Sequence, residues 1–134
     1  MKKSLSLILA LALMLTLVGC GKNVTVKTPD GNAKISTGSG LSWPKDKMGE
    51  LPELKSKVLS VVDTPQGTSV TCDGLSKSDY DAYVSKLKAQ GFEDTYTMEM
   101  EGTSLFTGQK DESTVSVQFH SDSGTCIIIY AVEQ

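Results

Sequence analysis

SKSDYDAYVSKLKAQGF, Ser76 to Phe92, is the stretch on which the fold turns. Ser76-Lys77-Ser78-Asp79 reads as a capping box with aspartate in the place of the usual glutamate, which sets an acceptor and a negative charge on the free amides of a helix start. Tyr80, Tyr83, Val84 and Leu87 then recur at i, i+3, i+4 and i+7, one apolar stripe on an otherwise polar helix. Gly91 supplies a left-handed stop, and Phe92 stands where a Schellman motif places its hydrophobic contact. A helix with a single apolar stripe must lie on something, and the segments on both sides of it read as strands.

Downstream, Thr95 to Met100 alternates with Tyr96, Met98 and Met100 on one face. Glu101-Gly102 turns and Thr103 to Gln109 returns. Lys110 to Ser113 turns again, and Thr114 to His120 places Val115, Val117 and Phe119 on one side. Ser121 to Gly124 leads into Cys126-Ile127-Ile128-Ile129-Tyr130-Ala131-Val132, a run apolar on both faces that belongs in the interior of a sheet or under a covering segment. Upstream, Val58 to Asp63 and Ser69 to Asp73 flank a Thr64-Pro65-Gln66-Gly67 turn, with proline and glycine in usable positions. Connections this short make neighbouring strands antiparallel. The expectation is an α+β domain over 57–134: an antiparallel sheet of about six strands with one helix packed across one face.

Residues 41–56 carry Trp43-Pro44 and Leu51-Pro52, and proline biases itself and its predecessor towards extended backbone. This predicts an irregular strap. Trp43 is either an exposed aromatic-proline recognition element or a ring packed over one end of the core, where tryptophan is usually found. Before the strap, β-branched residues alternate on both sides of Pro29-Asp30-Gly31-Asn32, a hairpin signal. That hairpin offers little apolar surface, so 20–40 reads as a tether with a weakly docked hairpin.

Residues 1–19 have a different character. Lys2 and Lys3 precede an almost unbroken apolar run from Ser4 to Val18, too short for the ~20 residues that span a bilayer, and Leu17-Val18-Gly19-Cys20 closes it. This order resembles the lipobox of a bacterial lipoprotein signal peptide. The resemblance implies a diacylglyceryl group on the Cys20 thiol, cleavage before Cys20, further acylation such as palmitate, and attachment at the outer face of the cytoplasmic membrane. Two or more acyl chains suffice for stable anchoring.

Without its first nineteen residues the chain has 11 lysines against 16 acids and is left with no arginine. Bidentate phosphate capture and most base-edge reading rely on the guanidinium fork, so nucleic acid is a poor partner. Neither a Walker motif nor a G-x-G-x-x-G is present, and no cofactor is implied. His120, the single histidine, adjoins Ser121 and Asp122, but three consecutive residues cannot converge as nucleophile, base and orienter. One histidine with scattered acids offers no zinc ligand set, and Glu93-Asp94 and Asp111-Glu112 lie outside any calcium-loop pattern. No metal or catalytic residue is assigned, although paired carboxylates for glycoside hydrolysis depend on a separation that sequence does not give. Cys72 and Cys126 fit no zinc spacing. They read either as a cross-strand or cross-sheet disulfide in an oxidising compartment or as two small buried hydrophobes.

The lipobox, the hairpin-like tether, Trp43-Pro44, Leu51-Pro52, and Tyr83-Val84 with Leu87-Lys88 ahead of Gly91-Phe92 together resemble a group of small uncharacterised surface lipoproteins of Gram-positive bacteria. The resemblance implies a cell-surface lipoprotein with one small domain and brings no activity with it. The leading expectation is a non-catalytic, membrane-anchored interaction domain for an envelope protein or peptide. Its candidate surfaces are Trp43 and the sheet face bearing Ile127, Ile129 and Ala131. The alternatives are an inhibitor of an extracellular enzyme, presenting Asp63 to Gly67 or Lys110 to Ser113, and a small envelope hydrolase.

Overall fold

The structure is a computed structural model that describes residues 24–28, 31–38 and 40–133. Its elements in chain order are β1 (Val24–Thr28), β2 (Gly31–Thr37), β3 (Lys57–Thr64), β4 (Gly67–Asp73), α1 (Lys77–Ala89), β5 (Glu93–Met100), β6 (Thr103–Lys110), β7 (Ser113–His120) and β8 (Thr125–Val132). The strands form one antiparallel sheet in the order β1-β2-β3-β4-β8-β7-β6-β5. The α+β class, with one helix among the described residues packed against an antiparallel sheet, agrees with the sequence reading.

The strand count corrects it: the sheet has eight strands rather than about six. The two additional strands are the hairpin read as a tether, because β2 pairs with β3 from Lys34↔Asp63 to Thr37↔Ser60. Ala33, Ile35 and Val62 are buried there, so the hairpin has apolar side chains to bury, and β3 would otherwise present an unpaired row of amides and carbonyls.

The helix forms where its caps place it. Ser76 Oγ accepts from Asp79 N at 3.2 Å while Ser76 N donates to Asp79 Oδ2 at 2.9 Å, the reciprocal capping box. At the other end Gly91 takes φ 106°. Phe92 N donates to Leu87 O and Gly91 N to Lys88 O, both at 3.1 Å, which is the Schellman pair. Tyr80, Tyr83 and Leu87 face the sheet, and Tyr80 stacks on Phe119 of β7 with ring centroids 5.6 Å apart. The core on this covered face also holds Val70, Cys72, Phe106, Val117, Cys126 and Ile128.

The strap continues the same layer. Trp43, Met48, Leu51 and Leu54 are buried in the core that the helix covers, and Tyr83 Oη donates to Pro52 O at 3.0 Å. Lys47 reaches Asp63 of β3 at 3.4 Å and Glu50 reaches Lys110 of β6 at 2.9 Å. Strap and helix therefore share one side of the sheet. Opposed residues in an antiparallel ladder project to the same face, so the register assigns Tyr96, Met98, Met100, Leu105, Ile127 and Ile129 to the other side.

Candidate functional site

β5 is the edge strand at one end of the sheet. Tyr96 is 55% and Met100 64% exposed, with Met98 and its cross-strand partner Leu105 half-buried between them. These side chains make an apolar strip on the face away from the helix. The opposite parity of β5 is acidic: Asp94 lies opposite Gly108 and Glu99 opposite Ser104, both on the covered side. From Glu93 to Glu101 there are four acids and no lysine. A register shift between Asp94 and Tyr96 bulges the strand at Thr95, whose hydroxyl donates to Thr107 O at 3.1 Å, and leaves Tyr96 to Met100 as the regular part of the edge.

The acids are held in place. Ser104 Oγ donates to Glu99 Oε2 at 2.7 Å, and Lys77 Nζ lies 3.0 Å from Glu99 Oε1 and 2.7 Å from Asp81 Oδ1. The Ser104 hydroxyl first, then the Lys77 ammonium, hold the Glu99 carboxyl below its ordinary range. Asp94 accepts from Thr97 Oγ1 at 2.6 Å. The edge thus has two unlike flanks on alternate residues, one apolar and one acidic, the acidic one tied to the helix by Lys77 at Glu99 and by Lys88, 3.9 Å from Asp94.

An open concavity of about 500 Å³ lies at the β3–β4 hairpin, lined by Asn32, Asp46, Lys47, Asp63, Gln66 and Tyr130 among others. Asp63 is committed there to Lys47 and to the Thr68 hydroxyl, 3.1 Å from its Oδ1. Among the described residues no group of three histidine, cysteine or acidic side chains is placed to hold a metal ion. His120 Nδ1 lies 3.4 Å from Thr103 Oγ1 across the β6–β7 ladder.

No protein family, curated protein or solved structure matches this chain.

The residues singled out from sequence fall in three places. Trp43, within the strap, is 6% exposed and packed in the core. Ile127 and Ile129 are half-buried on the sheet face away from the helix. Cys72 and Cys126 are both free, both buried, and directly opposite one another on β4 and β8. Cys20 and the rest of the segment that resembles a lipobox lie outside the described residues. The two loops considered for an inhibitor close as two-residue hairpin turns, Pro65-Gln66 and Asp111-Glu112. In the first, Thr64 Oγ1 accepts from Gln66 N at 3.3 Å and Gly67 N at 3.2 Å. In the second, Asp111 takes φ 52°.

Sequence reasoning placed Tyr96, Met98 and Met100 on one face but did not single them out as a surface. A signal was present: their alternate neighbours include two acids, which an edge strand tolerates and a central strand does not.

Proposed function

We propose that this chain is a non-catalytic, lipid-anchored, extracytoplasmic interaction domain, whose partner is an extended basic segment of an envelope protein that adds as a strand beside β5. The lipobox-like Leu17-Val18-Gly19-Cys20 supports the anchoring and the membrane location, with the lipid on Cys20 as the membrane contact. The observation that carries the binding reading is the two-flanked edge of β5. An extended segment added there would set its side chains alternately on the two faces of the sheet. Apolar residues would lie beside Tyr96, Met98 and Met100, and lysines or arginines beside Asp94 and Glu99. The acids and the Thr95 bulge also discourage pairing with a second acidic edge, so the same features that keep the chain from aggregating select a cationic partner.

Two measurements test the two halves of this reading. For the anchor, intact mass of membrane-extracted protein should show loss of residues 1–19 and added diacylglycerol, and Cys20→Ala should abolish both. An unlipidated wild type would sink the anchoring. For the surface, the ¹⁵N-labelled protein is titrated with a peptide alternating lysine and valine. Shifts concentrated on Tyr96 to Met100 that weaken as salt rises are expected, since exposed charges are screened. Equal shifts with a glutamate–valine peptide, or shifts centred on the β3–β4 hairpin, would overturn the site.

A further inference from the structure

The eight-stranded sheet has one seam between its two halves. β1 to β4 form one antiparallel run and β5 to β8 the other, and among the described residues the pairing of β4 with β8 is what joins them. Between these two strands the chain runs through α1 and then crosses to the far edge at β5 before it meanders back. The seam is therefore formed by residues distant in sequence, the kind of contact whose closure is entropically costly. At one end of it stand the two cysteines, as the register pair Cys72↔Cys126.

We propose that Cys72 and Cys126, free thiols in this structure, become joined as an intramolecular disulfide that closes the β4–β8 seam. The pairing rests on register and is independent of the partner proposed for β5. Directly opposed residues in an antiparallel ladder have Cα atoms about 4.5–5.5 Å apart and side chains on the same face. Disulfides take Cα separations of about 4.4–6.8 Å. Cys72 is 0% and Cys126 1% exposed, with Val58 opposite Cys72 on one side and Phe119 opposite Cys126 on the other. The third cysteine of the chain, Cys20, belongs to the lipobox-like segment.

The bond forms by exchange with a disulfide donor, either a protein or a small molecule. One cysteine, as thiolate, attacks a donor sulfur and releases the first donor thiol. The second cysteine then attacks the mixed disulfide and releases the other. Two S–H bonds are lost and one S–S bond is formed, while the two protons and two electrons leave as the reduced donor dithiol. Access fixes when this happens. Burial holds the Cys72 thiol above its ordinary pKa, against a smaller opposing effect of the Ser56 hydroxyl. Burial, followed by the nearness of Cys72, pushes Cys126 up to about 12. In the closed sheet both sulfurs are thus protonated and shielded, and exchange needs a thiolate with a path to the donor. The bond accordingly closes before β8 docks on β4, as the chain folds.

The test uses the full chain, reduced and denatured, then refolded in detergent with oxidised glutathione as the donor, trapped with iodoacetamide and digested. A reductant-sensitive peptide pair carrying Cys72 and Cys126, with no alkylation at either, is the expected result. In parallel, reduced protein already folded is exposed to the same donor, and slower appearance of the pair is expected. Alkylation of both cysteines after refolding would overturn the proposal and leave them as buried hydrophobes. A link from either cysteine to Cys20 or to a second chain would overturn it equally. Equal rates in the two arms would overturn the order of closure.

Discussion

Across β5 to β8 the two faces of the sheet are built from the same strands with the same two-residue period, yet they have opposite fates; on β2 to β4 the face away from the helix is itself buried at Ala33, Ile35, Val62 and Ser69. The covered face packs Phe106, Val117, Phe119 and Ile128 under Tyr80, Tyr83 and Leu87, and the strap completes the layer with Met48 and Leu51. The other face carries Thr107, Ser116 and Gln118 across β6 and β7, with half-buried Ile127 and Ile129 on β8 and exposed Tyr96 and Met100 on β5. Alternation in β7 and in β5 is equally clean, but in β7 the apolar set points at the helix and in β5 it points away. Period alone shows that a strand has two unlike sides, and the covering layer decides which side is core. α1 lies over β6 and β7, so β5 is left to place its acids towards the helix, where Lys77 meets Glu99.

The sharpest way to break this comparison is to truncate one large side chain on each face. Phe119→Ala removes a 1%-exposed ring stacked on Tyr80 and should cost about 3–5 kcal/mol in urea unfolding. Met100→Thr, at an exposed strand position with good β propensity, should stay within about 0.5 kcal/mol of wild type. A loss at Met100 comparable to that at Phe119 would mean that the β5 strip is packed against a part of the chain, and the binding surface would have to be sought elsewhere.

A smaller loss, from adding bulk where the first substitution removes it, tests how tightly the covered face is filled. Gly108 of β6 lies opposite Val115, on the helix side. A Cβ built there would stand 2.8 Å from Phe106 Cζ and 3.1 Å from Phe92 Cβ. Gly108→Ala should therefore destabilise by about 1–3 kcal/mol through overpacking, although alanine is otherwise the better strand residue. A neutral or stabilising result, read from the same urea midpoints, would show that the two phenylalanines can move apart.

Most of the covered face was legible in the sequence. The capping box at Ser76, the stripe from Tyr80 to Leu87, the Gly91-Phe92 stop and the alternation of Val115, Val117 and Phe119 are local signals, and each corresponds to a feature of the fold. The β1–β2 hairpin was harder to place because what incorporates it is not local. Ala33 and Ile35 look too few to dock a hairpin until β3 supplies a free ladder and Val62 a neighbour. The β5 strip was hidden for a related reason: Tyr96, Met98 and Met100 read equally well as core or as surface until the position of the helix is known. Trp43 illustrates the converse. Next to proline it could be a recognition element, and only the ties from the strap to Tyr83, Asp63 and Lys110 set it in the packing.

The finest test concerns the acid that ties the edge strand to the helix. Glu99 is exposed, so its contribution to stability is small, but its sign is defined. Its carboxyl is held below the ordinary value of 4.5, chiefly by the Ser104 hydroxyl and then by Lys77. A depressed carboxyl stabilises the fold above its unfolded value, and that contribution is lost as pH falls through the lower, folded value. Ser104→Ala removes the largest cause, so the Glu99 resonance in an NMR titration should move its midpoint up towards 4.5. The stability gap between variant and wild type should then be widest near neutral pH and should narrow below pH 4.5, as Glu99 becomes neutral in both. A gap that stays constant across that range would assign the effect of Ser104 to packing at a buried position, with no part played by the charge beside it. The acidic flank of β5 would then be set by Lys77 alone, and Lys77→Met should release Glu99 where Ser104→Ala had not.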